Sequence, residues 1–202
     1  MIEVQKPLFS QRQFETFERF KNKKFKRINL FVGSVSSGKT YITLIIWVLW
    51  IISRSTENNH LMVGKTLTSL ERNCLFLLVD IFGSDNVKYS ISSKRMTIFD
   101  RHVWLEGADN ERARTKIQGL TIDSVYCDET PLYPESFFAM LMSRMRVFGS
   151  RMFATGNPED PNNYLKKNWM DRVESDNLDM IVENYHICDN AVFLPDGYIE
   201  NL

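Results

Sequence analysis

The sequence predicts an α/β fold: a mainly parallel sheet flanked by helices, with a small β-hairpin inserted in it. Three observations carry this. Short apolar runs of strand length alternate with longer segments of helical spacing along most of the chain. The stretch Gly33-Ser34-Val35-Ser36-Ser37-Gly38-Lys39-Thr40 reads G-x-x-x-x-G-K-T. It lies between an apolar run at 28–32 and a longer one from Tyr41, the strand–loop–helix context of a phosphate-binding loop. Finally, polar signatures follow three separate apolar strands, at Gly33, at Asp128 and at Gly156. A parallel sheet with right-handed crossovers gathers such signatures at one edge.

The elements follow in order. Residues 1–10 read as irregular, with Pro7 as a breaker, and Ser10 N-caps a helix to about residue 20. Phe14, Phe17 and Phe20 are three apart and read as a core-packing face. Lys21, Lys23, Lys24, Lys26 and Arg27 form a basic run, read as a solvated connection. After the first strand and the loop, residues 41–52 form the most apolar segment, a buried helix too short for a bilayer, which needs about 20 residues. Residues 61–64 make a second strand. A helix capped by Thr68 or Ser69 then runs through Val79, carrying Leu70, Cys74, Leu77 and Leu78.

Short strands at 87–91 and 96–99, a turn at Asp100-Arg101 and a strand at 102–105 predict the hairpin. Residues 107–119, with Arg112, Arg114 and Lys116, read as a loop or short exposed helix. Residues 124–127 are a buried strand ending in Asp128-Glu129. Pro134 opens a helix with Phe137, Phe138, Leu141, Met142 and Met145 on one face. A strand at 151–155 ends in Gly156-Asn157-Pro158; a helix near 164–171 and a strand near 180–187 close the domain.

At 202 residues the chain suits one domain, and 44% hydrophobic residues with 14 Phe are ample for its core. Lys+Arg and Asp+Glu both number 25, so the net charge is zero and any contact with DNA is local, weak or shared among subunits. Cys74, Cys127 and Cys188 show no paired spacing, which points to a reduced, cytoplasmic setting without a structural metal. No basic-then-apolar leader opens the sequence.

The chemistry follows from residue types. Gly33 to Gly38 let backbone N–H groups curl around phosphate oxygens, and the helix N-terminus adds its dipole. Lys39 reaches the β- and γ-phosphates and the Thr40 hydroxyl ligates Mg²⁺. Asp128, after a buried strand, is placed as a Walker B metal ligand, and Glu129 as general base for hydrolysis. An adjacent Asp-Glu favours a strand-inserted, RecA-like P-loop ATPase over a kinase or Ras-like GTPase, and no N-K-x-D guanine signature is present. Asn157 is placed to sense the γ-phosphate.

Several motifs in order resemble the large terminase subunit of tailed bacteriophages and prophages. They are Phe9-Ser10-Gln11-Arg12-Gln13, then Arg27-Ile28-Asn29-Leu30-Phe31 leading into Gly33–Thr40. Gln118-Gly119-Leu120 and Asp123-Ser124-Val125-Tyr126-Cys127-Asp128-Glu129 follow, then Thr155-Gly156-Asn157-Pro158 and Cys188-Asp189-Asn190. The resemblance implies an ATP- and Mg²⁺-dependent motor that drives double-stranded DNA into a procapsid. It implies as partners the portal protein, the small terminase subunit and further copies in a ring, with a monomer in isolation and no membrane. It implies a place in the host cytoplasm, docked on the procapsid portal and absent from the mature virion. By this similarity Gln13 belongs to an adenine-recognition motif, and Thr155-Gly156-Asn157 to a segment coupling hydrolysis to movement.

Two departures from the family matter. Family P-loops often carry an arginine between the two glycines, where this sequence has Ser34, Val35, Ser36 and Ser37. An arginine finger then comes from elsewhere; Arg112 and above all Arg114 are the candidates, acting on a neighbouring subunit's site. Family members also continue into a nuclease domain. The expected division is a helical segment at 1–27, an ATPase core at 28–190 and, at 191–202, the start of a linker to a nuclease that this chain does not include, so no DNA cleavage is expected. The competing readings are a helicase-like or recombination ATPase, and a nucleotide-gated binding module in which turnover is incidental.

Overall fold

The computed structural model describes residues 7–158 and 160–201; the expectation for residues 1–6 lies outside them. Eight strands form one sheet: β1 (Ile28–Gly33), β2 (His60–Gly64), β3 (Val87–Ser90), β4 (Arg95–Ile98), β5 (Arg101–Gly107), β6 (Ser124–Cys127), β7 (Arg151–Gly156) and β8 (Met180–Tyr185). Their order is β3-β4-β5-β2-β6-β7-β1-β8. From β5 to β8 every pairing is parallel; β3 and β4 add an antiparallel edge. That edge is the predicted hairpin insertion.

Strands buried on both faces read as continuous apolar runs, which is why the sequence announces them. The two-residue side-chain period then divides each strand between two cores. Phe31, Met62, Tyr126 and Phe153 enter the core on one face. Leu30, Val32, Leu61, Val63, Val125, Cys127, Met152 and Ala154 enter the other. On the first face lie α1 (Gln11–Lys21), α2 (Lys39–Ile52) and the helical segment after β2; on the second lie α5 (Ala113–Lys116), α6 (Glu135–Arg144) and α7 (Tyr164–Asn168). In α2 the side chains of Ile42, Leu44, Ile46, Trp47, Val48 and Ile51 are fully buried. At about 2 kcal/mol of transfer free energy for each, this helix anchors the loop before it. Among the described residues no helix is long and apolar enough to cross a membrane.

Five local expectations are corrected. Phe14 is 50% exposed, whereas Gln13 and Thr16 are buried and Phe17 and Phe20 pack on the core. A helix buries positions i, i+3, i+4 and i+7, and that stripe runs through 13, 16, 17 and 20. The helix after β2 is capped by Thr66 rather than Thr68 or Ser69, because Ser69 closes a reciprocal capping box with Thr66. It is also not regular: α3 (Leu67–Leu70) and α4 (Phe76–Phe82) are joined by a π turn, Glu71–Leu75. The 107–119 segment does form a short helix, but it is not wholly exposed, since Ala113 and Ile117 are buried. The last strand ends at Tyr185, and Ile187–Phe193 turns into a 3₁₀ helix.

Candidate nucleotide site

The loop from Gly33 to Gly38 is shaped by its neighbours. Gly33 has φ +147°, and a Cβ there would lie 1.9 Å from the Tyr185 carbonyl oxygen of β8, so no side chain fits. Gly38, φ +80°, is the left-handed N-cap of α2, a conformation glycine adopts without a steric cost. A Cβ on it would come within 2.7 Å of both the Gln13 and Asn190 amides, so three chain segments meet at this residue.

The polar groups inside the loop are under-used. Lys39 Nζ donates to the Ser34 carbonyl at 2.8 Å. The hydroxyls of Ser34 and Ser37 are buried without a hydrogen-bond partner among the described residues. Buried polar atoms are rarely left so, and each such group calls for an explanation. A bound phosphate would supply the acceptor oxygens they lack. Burial lowers the Lys39 pKa, and the Asp128 and Glu129 charges act against that shift, so Lys39 shares one electrostatic environment with the carboxylates.

Asp128 follows β6 and is 4% exposed. Thr155 Oγ1, from β7, donates to its Oδ1 at 2.8 Å, and Asn73 Nδ2, from the π turn, donates to its Oδ2 at 3.0 Å. Its backbone is fixed too: Asp128 N–H donates to Val63 O at 2.8 Å, and the Tyr133 hydroxyl donates to Asp128 O at 2.7 Å. Glu129 sits in left-handed backbone, φ 56° and ψ 39°, a conformation a non-glycine residue holds only when its surroundings enforce it. Its carboxyl pKa is raised by burial and by Asp128; Arg72 and Lys39 act the other way. The Thr40 hydroxyl and the Asp128 carboxylate are hard oxygen donors, the set that suits Mg²⁺.

β7 stands between β6 and β1, so the Thr155-Gly156 end is inserted between the two halves of the site. Gly156 lies against Pro131: a Cβ there would be 2.1 Å from Pro131 Cδ. Asn157 is exposed at the end of this strand. Arg112 and Arg114 are exposed on the segment after β5, on the same edge of the sheet but beyond β2 and β6. Their guanidinium groups make no ion pair or hydrogen bond among the described residues.

Gln13 is bound at both ends of its amide. Its Oε1 accepts from Ser10 N at 2.9 Å, completing a capping box, and its Nε2 donates to Gly38 O at 2.9 Å. Beside it a cavity of about 320 Å³ opens between Leu8, Gln13, Gly38, Tyr41, Asn190 and Phe193. Asn190 Nδ2 also donates to Ser36 O at 2.8 Å, so the 3₁₀ helix after β8 is clasped to the loop. Sequence reasoning missed Arg72, Asn73, Tyr41 and Phe193 as site residues. No local motif marks them; only the S-x-x-Q capping box at Ser10–Gln13 was there to be recognised.

Comparisons with known proteins agree with this geometry. A family model described as phage terminase large subunit matches residues 25–202. No curated protein sequence matches the chain. Among solved structures, the large terminase of a thermophilic bacteriophage is 25% identical with a TM-score of 0.85, covering 96% of this chain and 50% of that one. The same terminase in complex with ATP-gamma-S is 25% identical with a TM-score of 0.81, covering 96% of this chain and 48% of that one. The N-terminal domain of the DNA packaging ATPase from bacteriophage phi29 is 14% identical with a TM-score of 0.57, covering 95% and 98% of the two chains, a likeness of fold alone. These neighbours are phage packaging ATPases, not helicases. The chain spans about half the length of the thermophilic phage terminase it matches. With the family model covering all but the first residues, this chain belongs to the phage terminase large subunit family and has the fold of its ATPase domain.

Proposed function

We propose that this chain binds ATP at the 33–40 loop, hydrolyses it to ADP and phosphate with Mg²⁺, and uses the cycle to move double-stranded DNA into a procapsid. The observation that supports it most is the inserted strand. β7 stands between the P-loop strand and the Asp128 strand, and Thr155 bonds Asp128 directly. Hydrolysis and movement of the β7 end are thereby mechanically connected.

In this reading the phosphates occupy the cradle where Ser34 and Ser37 hydroxyls await acceptors, and Lys39 exchanges its carbonyl partner for phosphate oxygens. The base enters the cavity between Tyr41 and Phe193, with Gln13 and Asn190 at its polar side. Thr40 and Asp128 hold Mg²⁺, which neutralises charge on the phosphate oxygens. Glu129 takes the proton of the attacking water; its raised pKa makes it a stronger base than a solvated glutamate. Thr155, Gly156 and Asn157 carry the nucleotide state away from the site. The exposed Arg114, with Arg112 beside it, acts on the site of a neighbouring copy in a ring, and isolated copies therefore turn over slowly. The portal protein, the small terminase subunit and the DNA are the partners this assembly requires, in the host cytoplasm. The thermophilic phage terminase bound to ATP-gamma-S supports the choice of nucleotide.

The test is ATP-gamma-S affinity in the purified chain. Lys39→Ala is expected to weaken it at least ~10-fold, about 1.4 kcal/mol. Equal affinity for the variant and the parent overturns the assignment of the loop.

A further inference from the structure

The Asp128 carboxylate is held on both sides by neutral donors, Thr155 from β7 and Asn73 from the π turn. We propose that Asn73 is a positioning residue for Asp128, fixing the carboxylate for Mg²⁺ without cancelling its charge. This rests on the nucleotide site proposed above.

The chemistry of the amide sets its direction. A carboxylate only accepts, so the NH₂ end of Asn73 faces Asp128 and its Oδ1 faces the other way. There it accepts from Arg72 Nε at 3.3 Å. Asn73 is thus a neutral spacer between a guanidinium and a carboxylate. An arginine bonded to Asp128 would occupy its oxygens and balance its charge; the amide orients the group and leaves that charge for a cation. The π turn is what delivers Asn73. An i→i+5 turn inserts one residue into the helix and rotates the side chains that follow, and such turns gather at functional sites. Here Cys74 and Leu75 stay fully buried while the adjacent Asn73 reaches the sheet edge. Outer partners of metal ligands typically change metal affinity 10–100-fold when removed.

The experiment measures ADP affinity of the full chain, once in EDTA and once across a Mg²⁺ titration, for the parent and Asn73→Leu. Mg²⁺-free affinity is set by the loop and the base cavity and should not change. The half-saturating Mg²⁺ concentration should rise about 10-fold or more. The same Mg²⁺ dependence in parent and variant overturns the role of Asn73 while leaving the nucleotide site standing. A parent that binds no nucleotide overturns both. Melting in the absence of nucleotide reports folding; where Asn73→Leu does not fold, Asn73→Ala carries the test with the same expectation.

Discussion

Two aspartates bracket the four-residue strand β6, Asp123 before it and Asp128 after it, and both are buried, 0% and 4% exposed. Asp123 is paired with a cation. Arg54 Nε and Nη2 donate to its two oxygens at 2.8 Å each, and Asn58 Nδ2 adds a third bond at 2.9 Å. Asp128 has no cation within ion-pair distance among the described residues; its carboxylate accepts from the neutral donors Thr155 and Asn73, and the buried Cys74 thiol bonds it too. The difference separates a charge balanced inside the fold from one that is not. A buried carboxylate that is balanced inside the fold has nothing left for a ligand. One that is oriented but not balanced is ready for a cation from outside. The whole edge around Asp128 shares this state, in the unpartnered hydroxyls of Ser34 and Ser37.

The comparison breaks most visibly in stability. Asp123→Ala should cost about 3–5 kcal/mol, because it leaves the Arg54 guanidinium without its buried partner. Asp128→Asn is nearly isosteric and should cost less than about 1 kcal/mol. Urea midpoints of the two variants against the parent decide it; equal losses would remove the distinction between the two ends.

A second effect belongs to the Asp123 end. His60 opens β2, fully buried with both ring nitrogens unpartnered among the described residues, and burial lowers its pKa from 6.5 to about 4. A depressed folded pKa contributes stability that is present above 6.5 and lost as pH falls toward 4. The loss should reach roughly 3 kcal/mol, and His60→Leu should flatten that part of the stability–pH curve. The smallest effect is at the other end. Arg72 opposes the upward shift of Glu129, so Arg72→Ala should move the acid limb of the ATPase pH profile to higher pH. A shift to lower pH would contradict the assignment of that limb to Glu129.

Much of this was legible in the sequence. All eight strands were: β1, β2, β6 and β7 because strands buried on both faces are apolar throughout, and the outer four as short runs set off by turn residues. The loop at 33–40 and the Asp128-Glu129 pair stand out by their spacing alone. What was not legible depends on folding back. The Arg54–Asp123 pair joins residues 69 apart, and Asn73 reaches Asp128 across 55. The cap was missed because Thr66, Thr68 and Ser69 are all able cap residues, and the reciprocal bond that selects Thr66 is geometric. Phe14 was misplaced because two steps of three walk off a stripe that needs steps of three and four. The π turn has no residue signature.

The most direct test is Glu129→Gln, which keeps the size of the side chain and removes the base. ATP binding should stay as in the parent, and turnover should fall about 10²–10⁴-fold, the usual contribution of a general base. Turnover equal to that of the parent, with ATP still bound, would contradict a hydrolytic site built on Asp128 and Glu129.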